Sequence, residues 1–433
     1  MKKRLISLLL CFALFLMATP LFAVADGDVG WHLTSDGVLH LEGTVVHFDL
    51  TEEQKLQVTS IETIPGAEIT NGRGMFSGFK NLVSADLSNL DTSAVTDMAF
   101  MFEGCGALTL LNISNFDTRN VTDMDSMFYG CGSLSALDVS RFDTRNVTNM
   151  NQMFDGCGML TVLDVSNFDT RNVTDMGRMF YGCAGLASID VSNFDTQNVT
   201  KMTQMFDGCT GLADLDVSRF ATGNVVTMRY MFHNCGSLSA LDVSNFNTAS
   251  VKDMSYMFNG CRALTALDVS GFDTANATKM GTMFRGCTEL ASLGVCPGIL
   301  HENAADLLAL CSSWQAQGGA GTFSTVADLE AVTEPVTLVA VGKNADDPTT
   351  PGGDFLPGDA NSDGAVNMKD VLAMRKHLAG MTVTLNARNS DLNADGNVNM
   401  KDVLLLRKFL AGIVSDSAFL SPILQPDGPV VMH

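Results

Sequence analysis

Apolar side chains recur along the middle of this chain with a period of 26 residues. Met-Phe pairs stand in step from residues 101–102 to residues 283–284. The same interval separates eight cysteines: Cys105, Cys131, Cys157, Cys183, Cys209, Cys235, Cys261 and Cys287. Fixed self-similarity at this length indicates a solenoid, in which neighbouring units bury an apolar face that no unit can bury alone.

Each unit contains two apolar patterns, which residues 137–163 illustrate. Leu137-Asp138-Val139-Ser140 alternates apolar and polar residues, which predicts a short strand half buried in a sheet. Apolar residues then follow at helical spacing, at Val147, Met150, Met153, Phe154 and Cys157. One strand and one short helix per coil predict an α/β repeat solenoid with a parallel sheet on one face; the resemblance given below implies that it is of the leucine-rich-repeat type.

The cysteine column favours buried thiols over disulfides. Thiols that face a Met and Phe core behave as small hydrophobic groups. Disulfides would pair coils two by two, and the period shows no such doubling. Eight thiols without a column of His also make a poor metal site. Cys296 and Cys311 fall outside the period and remain candidates for one disulfide.

The Asn-Val-Thr triplets pose a choice between glycosylation and structure. At Asn224 the acceptor triplet is lost, because Val-Val follows, yet the Asn stays. At Ala94 and Ser250 the Asn is lost, yet the unit continues. We therefore interpret the Asn column as a turn or cap of each coil.

The ends of the chain differ from the repeats. Basic residues, an apolar run and Ala23-Val24-Ala25 predict a cleaved export signal and a secreted protein. No other apolar run is long enough to cross a bilayer, so we expect no membrane span in the mature chain. The formal charge of −22 repels nucleic acid and anionic lipid.

The segments follow from these shifts in composition. Residues 31–43, WHLTSDGVLHLEG, read as a strand, an Asp-Gly turn and a second strand. The predicted organisation is a signal peptide at 1–25, an N-terminal β cap at 26–74, the solenoid at 75–295, a C-terminal cap at 296–342, a linker at 343–356, a small all-α calcium-binding domain at 357–412 and a tail at 413–433.

Two exposed surfaces of the solenoid are candidates for binding. An Asp column follows the strands, including Asp138, Asp164 and Asp216; it either binds cations or is a solvated face in which Ser and water relieve the repulsion. The four tyrosines fall in two columns three residues apart, which predicts a shared helical face. This candidate ligand face suits glycan stacking or protein recognition, the alternative being drift at a solvent-facing edge, and consists of Tyr129, Tyr181, Tyr230 and Tyr256.

Two loops near the C-terminus carry oxygen ligands at calcium-binding spacing. DANSDGAVNMKD begins at residue 359, and DLNADGNVNMKD begins at residue 391. Side-chain oxygens at loop positions 1, 3, 5, 9 and 12 and a carbonyl at position 7 suit a hard cation, so we predict two Ca²⁺ ions. The predicted ligands are Asp359, Asn361, Asp363, Ala365, Asn367 and Asp370, and Asp391, Asn393, Asp395, Asn397, Asn399 and Asp402.

Two resemblances follow from these motifs. The consensus L-x-x-L-D-V-S-x-F-D-T-x-N-V-T-x-M-x-x-M-F-x-G-C closely resembles the 26-residue repeat of bacterial surface proteins, the BspA-like leucine-rich repeats. Asp at loop position 12, and a single helix after each loop, resemble the type I dockerin. The first resemblance implies an exported, often adhesive, surface protein. The second implies a cohesin partner on a scaffoldin, at the cell surface or in a cellulosome-like complex.

In dockerins, cohesin is met by loop positions 10 and 11 and by a basic pair on the helix. The resemblance carries these contacts onto Met368, Lys369, Arg375 and Lys376, and onto their twins Met400, Lys401, Arg407 and Lys408. Because the twins are identical, either half can face cohesin. Met at position 10 departs from the small hydroxyl residues often found there, which leaves the cohesin class open.

The predicted function is that of a non-catalytic binding or adhesion protein for a polysaccharide, cell or protein ligand. The alternative is a glycoside hydrolase that acts in polysaccharide breakdown. A hydrolase needs two carboxyl groups with different pKa values in one cleft, whereas identical repeats offer no such asymmetry. The histidines are also scattered and non-periodic. We therefore predict that the protein is not an enzyme.

Overall fold

The computed structural model of the protein describes residues 30–318, 321–341, 360, 368–378, 401, 403 and 406. The chain divides into two compact units, residues 1–210 and residues 211–433. The predicted export signal lies outside the described residues. Within them, no helix combines the length and the apolar character that a bilayer crossing requires.

The first unit is dominated by short parallel strands. Strands β1 and β2 form an antiparallel hairpin, as the Asp-Gly turn predicts, and Gly37 at its tip has a φ of 89°. Helix α1, Glu52–Lys55, is closed by a reciprocal capping box between Thr51 and Gln54. The strands are β1 Trp31–Leu33, β2 Val38–Leu41, β3 Thr44–Val45, β4 Ser60–Thr63, β5 Glu68–Ile69, β6 Ser84–Asp86, β7 Leu110–Asn112, β8 Ala136–Leu137, β9 Val162–Leu163 and β10 Ser188–Ile189.

Parallel stacking begins before the 26-residue period. Val38 of β2 pairs with Ser60 of β4, and Ser60 pairs with Ser84 of β6. Ser84 pairs with Leu110 of β7, which is the first pair at the full period. The two earlier coils are therefore shorter than 26 residues, and a search for a fixed period passes over them.

The segment predicted as a helix in each coil is a series of tight turns. Alternate N–H groups from Met124 to Gly130 donate to carbonyls of the next coil, from Asn149 to Asp155, at 2.7–3.1 Å. The N–H groups of Met127 and Tyr129, which lie between them, donate to carbonyls three residues earlier in the same coil. The apolar residues are buried as predicted, but the backbone bonds run between coils instead of along a helix.

The backbone conformation explains this difference. Two residues of each turn series have a positive φ. One is a non-glycine residue, as at Ser126 (56°), Gln152 (57°) and Arg178 (55°), and the other stands four residues later and is usually Gly, as at Gly130 (71°). The left-handed conformation interrupts an α-helix, and it costs a non-glycine residue roughly 1–2 kcal/mol. Stacking provides the compensation, because each coil offers the preceding coil a row of carbonyl acceptors. A helical spacing of apolar residues therefore also fits a turn series with one buried side.

Identical side chains stack into columns inside the first unit. Phe102, Phe128, Phe154 and Phe180 are fully buried, and successive ring centroids lie 5.6–5.8 Å apart. Burial of each such ring contributes on the order of 2–3 kcal/mol. The thiols lie beside this column and donate to Phe carbonyls, as Cys157 does to Phe128 at 3.3 Å. All ten cysteines that the structure describes are buried, and none of them forms a disulfide.

The Asn column has the structural role that the sequence indicates. Asn146 Nδ2 donates to the Arg119 carbonyl at 2.7 Å, and Asn172 Nδ2 donates to the Arg145 carbonyl at 2.8 Å. The side chain of each coil thus binds a backbone group of the preceding coil. The prediction of a turn or cap is confirmed, with the addition that the bond joins two coils.

In its described residues, the second unit contains further coils, a closing sheet and three helices whose bounds are defined. Strand β16 pairs antiparallel with β13 and with β14, so the last parallel strand, β13, has a strand on both sides. The strands are β11 Asp214–Leu215, β12 Ala266–Val269, β13 Ser292–Val295, β14 Trp314–Ala316, β15 Thr322–Phe323 and β16 Val336–Ala340. The helices are α2 Pro297–Leu310, α3 Val326–Glu330 and α4 Met368–Leu378.

Helix α2 covers the last coil. Asn303 is buried, accepts the Met283 N–H at 2.8 Å and donates to the Met280 carbonyl at 3.0 Å. Asn303 thereby provides partners for two backbone groups of the last coil, which has no further coil beside it. Cys296 and Cys311 flank this helix as free thiols, so the candidate disulfide between them is not formed. The Cys311 thiol instead donates to the Ser313 carbonyl at 3.0 Å.

Candidate binding surfaces

The tyrosines lie on one edge of the turn series, in two columns. The first column is the residue with positive φ that stands two positions before the buried Phe of each coil, and the second column is three residues later. We call these two columns the variable edge. Its described members are Phe100, Ser126, Gln152, Arg178, Gln204, Tyr230, Tyr256 and Thr282 in the first column, and Glu103, Tyr129, Asp155, Tyr181, Asp207, His233, Asn259 and Arg285 in the second. The shared face is thus made by turns and not by the predicted helix.

In the second unit the variable edge carries a cluster of rings. Tyr230 and Tyr256 stack with centroids 4.5 Å apart and an interplanar angle of 15°. His233 meets Tyr230 edge-on at 5.0 Å. The Arg229 guanidinium lies 4.8 Å from the Tyr230 centroid and 6.0 Å from that of Tyr256. Cation–π contact holds the guanidinium over the rings, which makes the cluster a positively charged aromatic surface.

In the first unit the variable edge is more polar. The Arg178 guanidinium lies 4.2 Å from the Tyr181 centroid, and its Nε is 2.8 Å from the Asp155 carboxylate. Burial raises the pKa of Asp155, although Gln152 and Arg178 both stabilise its anion. Asp155 occupies the coil between Tyr129 and Tyr181. The stacking of adjacent rings found in the second unit is therefore not repeated between these two tyrosines.

The Asp column of the sheet face is satisfied locally. Asp138 Oδ1 accepts the Ser140 N–H at 3.0 Å and the Ser140 hydroxyl at 2.6 Å. The pKa of Asp138 is lowered, chiefly by that hydroxyl. Asp164 accepts from Ser166 in the same way, and its pKa is lowered for the same reason. Ser thus relieves part of the expected repulsion, and the described residues contain no group of three or more metal-ligating side chains.

Part of the predicted calcium and cohesin machinery lies on helix α4. Asp370, at loop position 12, is fully buried in the first turn of α4. Met368 and Lys369 precede it in the same turn, and Lys401 is exposed. A carboxylate at this position fits a calcium ligand, because hard cations prefer carboxylate oxygens. The remaining predicted residues lie outside the described part of the chain: Asp359, Asn361, Asp363, Ala365, Asn367, Asp391, Asn393, Asp395, Asn397, Asn399, Met400, Asp402, Arg407 and Lys408.

The structure adds partners that the sequence did not indicate. Arg229 joins the tyrosine cluster, and its position directly before Tyr230 was the only available signal. The basic pair of α4 meets the sheet face, where Arg375 forms an ion pair with Asp216 and the Lys376 Nζ lies 3.9 Å from the Asp242 carboxylate. These contacts join residues more than 130 positions apart, which no local pattern predicts.

Comparison with known proteins gives two family matches. The model described as "Mycoplasma protein of unknown function, DUF285" matches residues 47–159, 110–214, 133–238 and 208–293, together more than half of the chain. The type I dockerin model matches residues 357–411. No curated protein matches the chain.

Among solved structures, the crystal structure of a leucine-rich-repeat protein from T. pallidum is similar at 20% identity and a TM-score of 0.31. The match covers 49% of this chain and 90% of that one. The repeats and their family match carry the assignment: the chain belongs to the DUF285 family, of the BspA-like leucine-rich-repeat type, and bears a type I dockerin domain near its C-terminus.

Proposed function

We propose that this protein is a secreted, non-catalytic binding protein that docks to a cohesin module through its dockerin and presents its repeats to an extracellular ligand. The dockerin match supports the first part, because a dockerin implies a cohesin partner. The cluster of Arg229, Tyr230, Tyr256 and His233 supports the second part and is the observation that carries it. Together they describe an adaptor that holds a ligand at a scaffold.

Docking depends on calcium in this proposal. Two ions, one in each predicted loop, would order the loops and so place the helices that follow them. The burial of Asp370 at the start of α4 supports this arrangement, since its carboxylate is held inside the module. In this proposal the calcium ions have a structural role, because they hold the loops and helices that carry the cohesin-facing residues.

The ring cluster favours a polysaccharide as the ligand. Tyr230 and Tyr256 offer hydroxyls and ring edges, while Arg229 offers guanidinium donors in an exposed position. Such a surface suits a chain that carries hydroxyl and carboxylate groups. Pectin carries both, whereas cellulose and xylan differ from it in charge. We therefore expect pectin to be retained most strongly of the three.

A retention assay tests this proposal. The mature chain, residues 26–433, is incubated in calcium with insoluble cellulose, xylan and pectin, and reducing sugar is assayed in the same tubes. We expect retention on pectin without sugar release. Tyr230→Ala with Tyr256→Ala should lower the retained fraction roughly tenfold, because both stacked rings are lost. Val226→Ala, an exposed change in the same coil, should have no effect.

Other outcomes point elsewhere. Sugar release would contradict the non-catalytic proposal and favour the glycoside hydrolase alternative. Retention that survives loss of both tyrosines would move the ligand site off the ring cluster. Failure to bind any of the three polysaccharides would leave a cell-surface or protein ligand in their place.

A further inference from the structure

The basic pair of helix α4 is occupied by the repeat itself. The Arg375 guanidinium donates to the Asp216 carboxylate, and the Lys376 Nζ lies 3.9 Å from the Asp242 carboxylate. Asp216 and Asp242 hold the same position in consecutive coils. Two consecutive residues of the helix therefore meet two consecutive rungs of one acidic column.

Apolar contact accompanies these ion pairs. Val371 and Leu372 of α4 face Leu215 and Leu241 of the sheet across a cavity of only about 30 Å³. Val371 is only 2% exposed, so this part of the helix is covered. The charged side chains are also largely covered, since Arg375 is 32% exposed and Asp242 is 14% exposed. Ion pairs that are partly shielded from water are stronger than those at an open surface.

Asp216 differs from the members of its column that lack such a partner in α4. Asp164 and Asp268 accept hydrogen bonds from Ser166 and Ser270. Asp216 accepts from Ser218 and from Arg375. Burial by itself raises the pKa of Asp216, but the hydrogen bonds from Arg375 and Ser218 outweigh it and the pKa is lowered. The Asp216 anion is thus held by the helix that covers it.

We propose that the acidic sheet face around Asp216 and Asp242 is an intramolecular docking surface that masks the first cohesin-facing half of the dockerin. The proposal rests on the proposed function, in which Arg375 and Lys376 meet cohesin. Cohesin then engages the second half, through Arg407 and Lys408, unless the first half is released. Two halves with the same contact residues would become unequal, because this contact withdraws Arg375 and Lys376 of the first half from cohesin.

Hydrogen exchange of residues 368–378 in the full mature chain tests the contact without cohesin. Asp216→Asn with Asp242→Asn should speed exchange of this segment roughly fivefold, since two partly shielded ion pairs are lost. Arg375→Gln with Lys376→Gln should give the same increase, and the two pairs of changes combined should give no more. Asp164→Asn with Asp268→Asn is the matched control, because those carboxylates accept from Ser. Unchanged exchange, or an equal increase in the control, overturns the proposal.

Cohesin binding then tests the consequence. Across a panel of type I cohesin modules, Arg407→Ala with Lys408→Ala should weaken binding at least fivefold more than Arg375→Ala with Lys376→Ala. In the background of Asp216→Asn and Asp242→Asn, both changes should weaken binding equally. If the two pairs of Ala changes weaken cohesin binding equally in the unmodified chain, the masking is overturned, even if hydrogen exchange shows the contact. Absence of binding to every cohesin overturns the docking function itself, and the exchange result then reports the contact separately.

Discussion

Single side chains hold the coils together by replacing backbone partners. Thr144 is fully buried; its hydroxyl donates to the Asp169 carbonyl at 3.1 Å and accepts the Asp169 N–H at 2.7 Å. Thr118 does the same one coil earlier, with Asp143. One hydroxyl thus satisfies two backbone groups of the next coil where the strand has ended. The Thr column in the sequence reflects this double role, which no apolar residue of the same shape can fill.

Thr144→Val should therefore destabilise the repeats by about 2–4 kcal/mol, because it leaves the N–H and C=O of Asp169 without their partner. Urea unfolding followed by circular dichroism measures the change. Thr148→Val is the matched control. Thr148 is exposed, and its hydroxyl donates one hydrogen bond, to the Thr122 carbonyl at 3.2 Å. Its cost should stay below about 1 kcal/mol. Equal costs at the two sites would contradict the double role of the buried hydroxyl.

The element of this fold is a coil whose turns carry a left-handed residue, seldom Gly, two positions before the buried Phe. Most of these residues are long or aromatic, and their side chains form the first column of the variable edge. The strain is repeated in every coil and is offset by bonds to the neighbouring coil. Tyr230 and Tyr256 are two of these residues. The left-handed position that interrupts the predicted helix is therefore also the position that carries their rings. Backbone strain and the display of the rings are linked in this element.

Thr282→Gly should stabilise the second unit by up to about 1 kcal/mol. Thr282 has a φ of 62°, which is costly for a β-branched residue, and glycine removes that strain while losing more conformational entropy. Thermal unfolding monitors the effect. At Thr278, outside the left-handed position, the same change should destabilise the protein and also remove a hydrogen bond to the Lys252 carbonyl. Destabilisation by Thr282→Gly would argue that its side chain contributes more than the strain costs.

The column of buried thiols makes stability depend on alkaline pH. Burial raises the pKa of Cys105 and Cys209 to about 12, and it raises the pKa of Cys131, Cys157 and Cys183 well above the usual value. The unfolded chain loses these protons near a pH of about 8.5, whereas the folded chain retains them. Stability is therefore complete below that pH and falls as the pH rises toward 12.

Cys157→Ala should reduce the slope of this loss by about 1 kcal/mol per pH unit, because one titrating thiol is removed. Urea unfolding at several values between pH 8 and 10.5 gives the slope. The overall stability of the variant is lower because of the cavity, so the slope and not the absolute value is compared. An unchanged slope would show that this thiol does not retain its proton in the folded state.

At the scale of the whole molecule, two parts draw their stability from different sources. The repeats bury their apolar columns against neighbouring coils, which needs no ligand. We predict two calcium loops in the dockerin, in which metal binding and folding would be coupled. We expect the two parts to respond differently when calcium is removed.

Chelation with EDTA should abolish cohesin binding and leave the unfolding temperature of the repeats within about 2 °C. Calorimetry in calcium and in EDTA should show a single transition shifting, that of the dockerin. Asp370→Ala should reproduce part of the effect in calcium, since it removes the buried loop ligand. A repeat transition that shifts as far as the dockerin transition would mean that the metal also stabilises the coils.

The sequence by itself determined the solenoid and its columns. A period of 26 residues that places Phe, Met, Cys and Thr at fixed positions can be satisfied only by stacked coils, since each apolar face needs an identical neighbour. The loss of the acceptor triplet at Asn224 was enough to assign the Asn column to structure. The spacing also showed that the thiols face the core. Side-chain periodicity reports which residues are buried, and here that was sufficient.

Only the tertiary structure decided how the backbone and the surfaces are joined. The segment could form a helix or a series of turns. The choice depended on whether N–H groups such as that of Phe128 donate within the coil or to the next coil, and only the position of the neighbouring coil decides that. The stacking of Tyr230 on Tyr256 depends on the left-handed backbone conformation of both tyrosines. The pairing of Arg375 with Asp216 joins residues 159 positions apart. Contacts of this kind depend on distances between chain segments, and the order of residues along the chain does not contain those distances.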